Sequence, residues 1–324
     1  MDIDILLILQ RFRNGAGGVF ASFFSKMTYL GETPAVILIM AVIYWSLDRG
    51  TGTYLMLGWS MNRLLNGLLK VTVCAYRPWI RDARIIPYGD SVTTATGYSF
   101  PSGHSANAAS VYGGMLIRKD LPTALRYAMG ALVLLVPFSR IYLGIHTPQD
   151  VLAGTAAGLL TMILALRIMK RIEAGHAKEP AVVLIVLILA AAVSAYAALK
   201  SYPEDYVDGK LIVDGAKMAR DTFKGAGGCC GFLAGWMLQR RFAGFSTDVP
   251  PGVRVSRSAA GIPFFYAVDL IAAPAVSGLI GGAAGAFMTL FIPVFFVTFI
   301  YPWCFSRAEA RGENRDAPVR NNIS

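Results

Sequence analysis

The stretch AVVLIVLILAAAVSAYAAL, residues 181–199, carries no charged side chain. A helix needs about 20 predominantly apolar residues to cross a bilayer, so a run like this one reads as a membrane span. Eight more runs read the same way, over roughly 33–47, 52–75, 101–117, 125–144, 148–168, 225–239, 260–281 and 284–304. Those at 33–47 and 225–239 are short for a span. The last two are parted by small residues around Gly281, Gly282 and Gly285, which reads as a tight helical hairpin. The chain is 55% hydrophobic and only 15% charged over 324 residues, unlike a soluble domain. The expected fold class is all-α: a polytopic integral membrane helical bundle of about nine transmembrane helices.

Residues 1–32 set Arg11, Arg13 and Lys26 among Leu, Ile and Phe, the pattern of an amphipathic interfacial segment. The opening MDIDILLILQ begins with acids and lacks the basic region of a signal peptide. Cys74, Cys229, Cys230 and Cys304 have no metal-ligand spacing and make no disulfide framework, so they read as small apolar side chains. Gly227, Gly231 and Gly235, and then Gly278 and Gly282, recur at helical spacing. Such residues let helices approach closely, within one chain or, as the sharper reading, across a homodimer. From about Ser306 the chain turns polar, and 306–324 is expected to be a disordered cytoplasmic tail.

The net charge of +10 raises the question of nucleic acid. The basic residues are not interleaved with aromatics on a polar surface, so no nucleic-acid partner is expected. They cluster between apolar runs instead: Arg118, Lys119 and Arg126, then Arg167, Lys170, Arg171 and Lys178, then Arg240, Arg241, Arg254 and Arg257. With nine spans these clusters share one side of the membrane, and the acidic loop SYPEDYVDGK lies on the other. The positive-inside rule then places the basic side in the cytoplasm. The expected location is a multi-pass membrane protein of a bacterial inner membrane.

A few charges fall where lipid makes them costly. In the run that ends NGLLKVTVCAYRPWIRD, Arg63, Asn66, Lys70 and Arg77 form one helix face if the helix reaches residue 77. Such a face must line a polar cavity or meet partners. Pro78 is then expected to end the helix. The next run opens GYSFPSGHSANAAS: Pro101 suits a first turn, and Ser102 and Gly103 bring free backbone donors to a helix N-terminus, an anion site with His104 beside it. In SRIYLGIHTPQD, residues 139–150, Arg140 ends one run and Pro148 sits early in the next; His146 and Asp150, four apart, can meet across a helical turn. All three segments fall at the same membrane face. Cations and backbone donors suit a phosphate. A histidine fixed by a carboxylate suits a nucleophile, and a second histidine suits a proton donor.

KVTVCAYRP (70–78), PSGH (101–104) and SRIYLGIHTPQD (139–150) resemble the three signature motifs of the type 2 phosphatidic acid phosphatase superfamily, KxxxxxxRP, PSGH and SRxxxxxHxxxD. The resemblance covers about residues 30–170. It implies a six-helix phosphatase core, over 33–178, followed by extra helices over 179–305 that the minimal family fold lacks. It implies His146 as the nucleophile that becomes a phosphohistidine, Asp150 as its orienting partner and His104 as the acid for the leaving group. Lys70, Arg77, Ser102, Gly103 and Arg140 would cradle the phosphate, at the extracytoplasmic face. No metal and no other cofactor is implied, and one Asp with two His at these spacings is a poor metal set.

Arg63 and Asn66 read either as a second layer around the site or as a helix-bridging hydrogen-bond pair. Asp269 reads as a structural partner to a buried Arg or Tyr. Trp79, Tyr88, Tyr98 and Tyr142 read as interface aromatics, some of which could shape a substrate entrance. The expected activity is metal-independent hydrolysis of a lipid phosphate or lipid pyrophosphate, with phospholipid, isoprenoid and sphingoid phosphates all fitting. Two other readings stay open: a sugar-phosphate phosphatase or phosphotransferase on the same scaffold, and a catalytically silent lipid-phosphate binding or transport protein.

Overall fold

The computed structural model describes residues 2–15, 18–89, 95, 97–207 and 209–316, with side chains as far as residue 311. Helices α1 (Asp2–Gly15) and α2 (Val19–Met27) lead through a tight turn, Thr28–Gly31, into α3 (Thr33–Leu47). The chain bends by 59° between 19–31 and α3. Then come α4 (Arg49–Val73), a single turn α5 (Pro78–Arg81), α6 (103–116), α7 (Thr123–Tyr142), α8 (Pro148–Glu173) and α9 (Glu179–Leu199). A two-stranded hairpin, β1 (Tyr206–Val207) with β2 (Lys210–Leu211), precedes α10 (Gly215–Phe242), α11 (Pro251–Ile280) and α12 (Gly282–Arg311).

Helices stand at all nine expected places. Among the described residues five of them, α7, α8, α9, α11 and α12, are long and apolar enough to cross a membrane, or six if 19–31 and α3 count as one broken span. The protein is thus a multi-span membrane protein. The others fall short for visible reasons: Asn62, Arg63, Asn66 and Lys70 interrupt α4, and α6 is short. The first half of α10 carries Lys217, Arg220, Asp221 and Lys224, so this helix begins ten residues before the apolar run at 225–239. Outer faces stay apolar: Leu184, Ile185, Ile188 and Leu189 on α9 and Leu270 and Ile271 on α11 are exposed, as lipid contact requires.

The inner faces close on a core that includes Trp45, Trp59, Phe232 and Phe265. The glycine stripe on α10 is used inside the chain: a Cβ at Gly231 would stand 2.6 Å from the Phe291 carbonyl of α12, and Gly227 and Gly235 press on Phe287 and Thr298. Gly281 turns the α11–α12 hairpin at φ +69°, a conformation that favours glycine.

Three expectations are corrected. The helix carrying Lys70 ends at Val73, where Cys74 takes a left-handed conformation; Arg77 lies beyond it, and Pro78 opens α5 instead of ending α4. Pro101 lies outside α6, whose cap is Ser102. The polar segment after Ser306 is helical to Asp316, because Arg257, 3% exposed, holds Glu309 through Nε at 2.8 Å and Nη2 at 2.7 Å. Residues 317–324 of the expected tail lie outside the described residues.

Candidate active site

Thr147 caps α8 and accepts from the Asp150 amide, while Asp150 Oδ2 accepts from the Thr147 amide at 2.8 Å. The TPQD sequence is therefore a reciprocal capping box, which fixes the Asp150 carboxylate at the first turn. The same oxygen accepts from Ser99 Oγ at 2.5 Å and faces His146 Nδ1 at 3.4 Å. Ser99 Oγ is itself 3.3 Å from that Nδ1. On the other side of the ring, Arg77 Nη1 donates to His146 Nε2 at 2.9 Å. A guanidinium only donates, so Nε2 carries the lone pair and Nδ1 the proton that points to Asp150 and Ser99. His146 sits in the turn between α7 and α8, where burial and then the Arg77 charge hold its imidazole well below the usual histidine range, against the pull of Asp150.

Arg77 is itself placed by loop carbonyls, donating from Nε to Gly97 O at 3.0 Å and from Nη1 to Ile145 O at 3.3 Å, with Trp79 against its face. Lys70 donates to Tyr98 O and Pro101 O at 3.0 and 3.1 Å, which ties α4 to the loop that starts α6. Ser102 caps α6 by accepting from Ser105, and its amide donates to Asp150 O at 2.9 Å. Two glycines of α8 allow this approach. A Cβ at Gly154 would collide with Ser102 O, and one at Gly158 would lie 2.7 Å from Ala106 O. Space beside Gly103 is open, and His104 Nε2 is buried without a hydrogen-bond partner.

Arg140, 2% exposed, donates from Nη1 to Thr28 Oγ1 at 2.7 Å, and Glu32 is the carboxylate that acts on it. Asn107 Nδ2 donates to Gly31 O at 3.0 Å, and Trp59 Nε1 donates to Asn107 Oδ1 at 3.1 Å. The N-terminal segment thus packs on the site through Thr28, Gly31 and Glu32, while Ile8, Phe12, Val19 and Phe20 of α1 and α2 stay exposed. Arg63 and Asn66 share a 220 Å³ cavity with Lys70 and Gly103 and do not hydrogen-bond each other.

The structure therefore brings Lys70, Arg77, Ser102, Gly103, His104, Arg140, His146 and Asp150 to one end of the bundle. Ser99, Thr28 and Thr147 join them without having been singled out by motif or spacing. Tyr98 and Tyr142 are buried, not interfacial, while Tyr88 receives the Arg13 guanidinium on its ring at 5.6 Å. Asp269 faces Lys224, not an Arg or Tyr.

Two family models and several known proteins match parts of this chain. Residues 51–174 match the PAP2 superfamily, and residues 223–313 match the PAP2 superfamily phosphatase, transmembrane extension. Phosphatidylglycerophosphatase B of Bacillus subtilis is 33% identical over 150 residues, covering 43% of this chain and 70% of the relative. Lipid phosphate phosphatase delta of Arabidopsis thaliana is 26% identical, over 53% of this chain and 43% of the relative. Among solved structures, Aquifex aeolicus LpxE aligns with TM-score 0.42 and 21% identity, over 50% of this chain and 94% of that one. A transmembrane PAP2 type phosphatidylglycerolphosphate phosphatase from Bacillus subtilis aligns with TM-score 0.43 and 29% identity, over 53% and 85%. The chain belongs to the PAP2 superfamily, a class of membrane phosphatases that hydrolyse phosphoric monoesters.

Proposed function

We propose that this protein hydrolyses a lipid phosphate or lipid pyrophosphate through a phosphohistidine on His146. The observation that carries the reading is the orientation of that ring: Nδ1 turned to Asp150 and Ser99, and Nε2, with its lone pair, turned to the Arg77 guanidinium. A phosphate drawn to Arg77, Lys70 and Arg140 meets the attacking nitrogen directly. Attack forms the N–P bond and breaks the bond to the lipid oxygen, which takes a proton from His104 in its imidazolium form. Asp150 stabilises the positive charge that develops on His146. Neutral His104 then takes a proton from water as its oxygen attacks phosphorus, releasing phosphate and restoring His146. The free amides near Gly103 and the three cations bind the equatorial oxygens.

The lipid class is supported by the relatives named phosphatidylglycerophosphatase B and lipid phosphate phosphatase delta. The basic ends of α6, α8 and α10 support a cytoplasmic location for that side, with the site extracytoplasmic in a bacterial inner membrane and the C-terminus in the cytoplasm. The exposed apolar faces of α1 and α2 support an interfacial seat for that segment. The deciding experiment is phosphate release from detergent-solubilised protein over lipid phosphates and glucose 6-phosphate. An alkaline denaturing quench with labelled lipid should trap phosphohistidine, whose N–P bond survives base and is lost in acid, and H146A should lose at least about a thousandfold in rate. Turnover of glucose 6-phosphate with none of any long-chain lipid phosphate would overturn the lipid reading.

A further inference from the structure

Lys224 lies on α10, outside the stretch that carries the signature motifs and within the part matched as the transmembrane extension. Two cavities, of about 220 and 460 Å³, open beside Gly103. Arg63 and Lys224 line both; the smaller cavity reaches Lys70 and Asn66, and the larger reaches His104. Two cations from different helices therefore line the cavities that also reach Lys70 and His104.

Neither cation is satisfied within the protein. Among the described residues, Arg63 and Lys224 make no hydrogen bond and no salt bridge. The Arg63 guanidinium lies 5.9 Å from the Trp59 ring centroid, and its Nε is buried without a partner. Asn66, 6% exposed, also has its Nδ2 buried without a partner. Asp221, which also lines the smaller cavity, acts on both Arg63 and Lys224, Asp269 acts on Lys224, and Glu32 lines the larger cavity, yet none of these carboxylates closes to an ion pair with either cation. Unpaired cations and an idle amide donor around a cavity in an apolar bundle are costly unless an anion visits. The scissile phosphate already has Lys70, Arg77 and Arg140.

We propose that Arg63, Asn66 and Lys224 form a second anion subsite, which takes a second phosphoryl group on the head of the substrate. The substrate class is then a lipid diphosphate, or a monoester carried next to a phosphodiester, in preference to a lipid with a single phosphate. The proposal rests on the phosphatase reading above.

The test is the ratio of kcat/KM for a lipid diphosphate, and for a monoester bearing a neighbouring phosphodiester, over kcat/KM for the monophosphate of the same chain length. Wild type should favour at least one of the doubly charged heads, and which one identifies the source of the second group. In K224M that ratio should fall about tenfold, the loss of one charge-assisted contact. K224R should recover most of it, which separates the charge from any general damage to the fold. A fall of less than fivefold in K224M overturns the subsite. A second measurement needs neither a variant nor turnover: inorganic pyrophosphate should raise the melting temperature of wild type more than orthophosphate at equal concentration. Equal shifts also overturn the subsite. If wild type releases phosphate from none of these lipids, the phosphatase reading fails on its own, and the melting comparison still decides on the subsite.

Discussion

Ser99 Oγ touches both members of the His146–Asp150 pair, donating to Asp150 Oδ2 at 2.5 Å and standing 3.3 Å from Nδ1. Its removal leaves the carboxylate one donor short in a buried place. S99A should lower kcat by about 10- to 100-fold with little change in KM, the cost of one hydrogen bond to a charged group. Steady-state rates on the best lipid phosphate check this, and equal rates in wild type and S99A would remove Ser99 from the positioning role. His146 supplies a second outcome. Its imidazole is pushed below the usual value of 6.5, so the proposed nucleophile stays neutral as pH falls through 6.5. The acid limb of kcat/KM, corrected for the ionisation of the substrate itself, should therefore lie below pH 6.5; a limb at or above that value counts against a buried neutral His146. Lys70, Arg77, His104, His146 and Asp150 were legible because their spacing follows the family pattern. Ser99 was not, since its place depends on a loop that folds back onto α8, and hydrophobic periodicity does not record such a path.

At the scale of elements, the site depends on how closely α6 approaches α8. Gly154 and Gly158 make that approach, and the four-residue spacing was present in the sequence without revealing which helix it faced. G158L would drive a side chain into Ala106 and push the α6 N-terminus, with Ser102 and His104, away from Asp150. The expected cost is about 1–3 kcal/mol of stability, with a loss of activity larger than that fall in stability explains. Thermal melting and rates, measured on the same preparation, separate the two effects. The start of α10 was hidden for a physical reason: Lys217, Arg220, Asp221 and Lys224 break the apolar run, yet the helix continues through them toward the polar cavity. Conversely, Pro78 looked like a stop and acts as a start, because proline is tolerated at the first helical position.

For the whole molecule, the two ends of the bundle differ in kind. One gathers the motif residues, and the other gathers basic residues pinned by partners, such as Arg118 with Asp120, Arg240 with Glu179 and Arg257 with Glu309. Cysteines introduced at exposed Arg84, near the site, and at exposed Lys178, on the opposite end, should differ in reactivity with a membrane-impermeant thiol reagent applied to intact cells. Labelling at position 84 alone is the outcome expected for an outward-facing site. Labelling at position 178 alone would invert the topology. The fold class was readable from the apolar runs, since lipid leaves a chain few options. What they could not convey was the traffic between distant segments: Thr28 holding Arg140, or α10 reaching back to the cavity of α4.

The hydrogen bond from Arg140 to Thr28 joins residues 112 positions apart. A ribosome delivers Thr28 to the membrane long before Arg140 is made, and Lys224 arrives later still. At typical elongation rates of about 5–20 residues per second, the wait for Arg140 is on the order of ten seconds. Lys70 and Arg77 arrive within that interval, with no completed site around them. The nascent protein thus passes through a stage that holds cations but not yet the proposed nucleophile His146, and the site is complete only when the α7–α8 turn locks against a residue synthesised well before it.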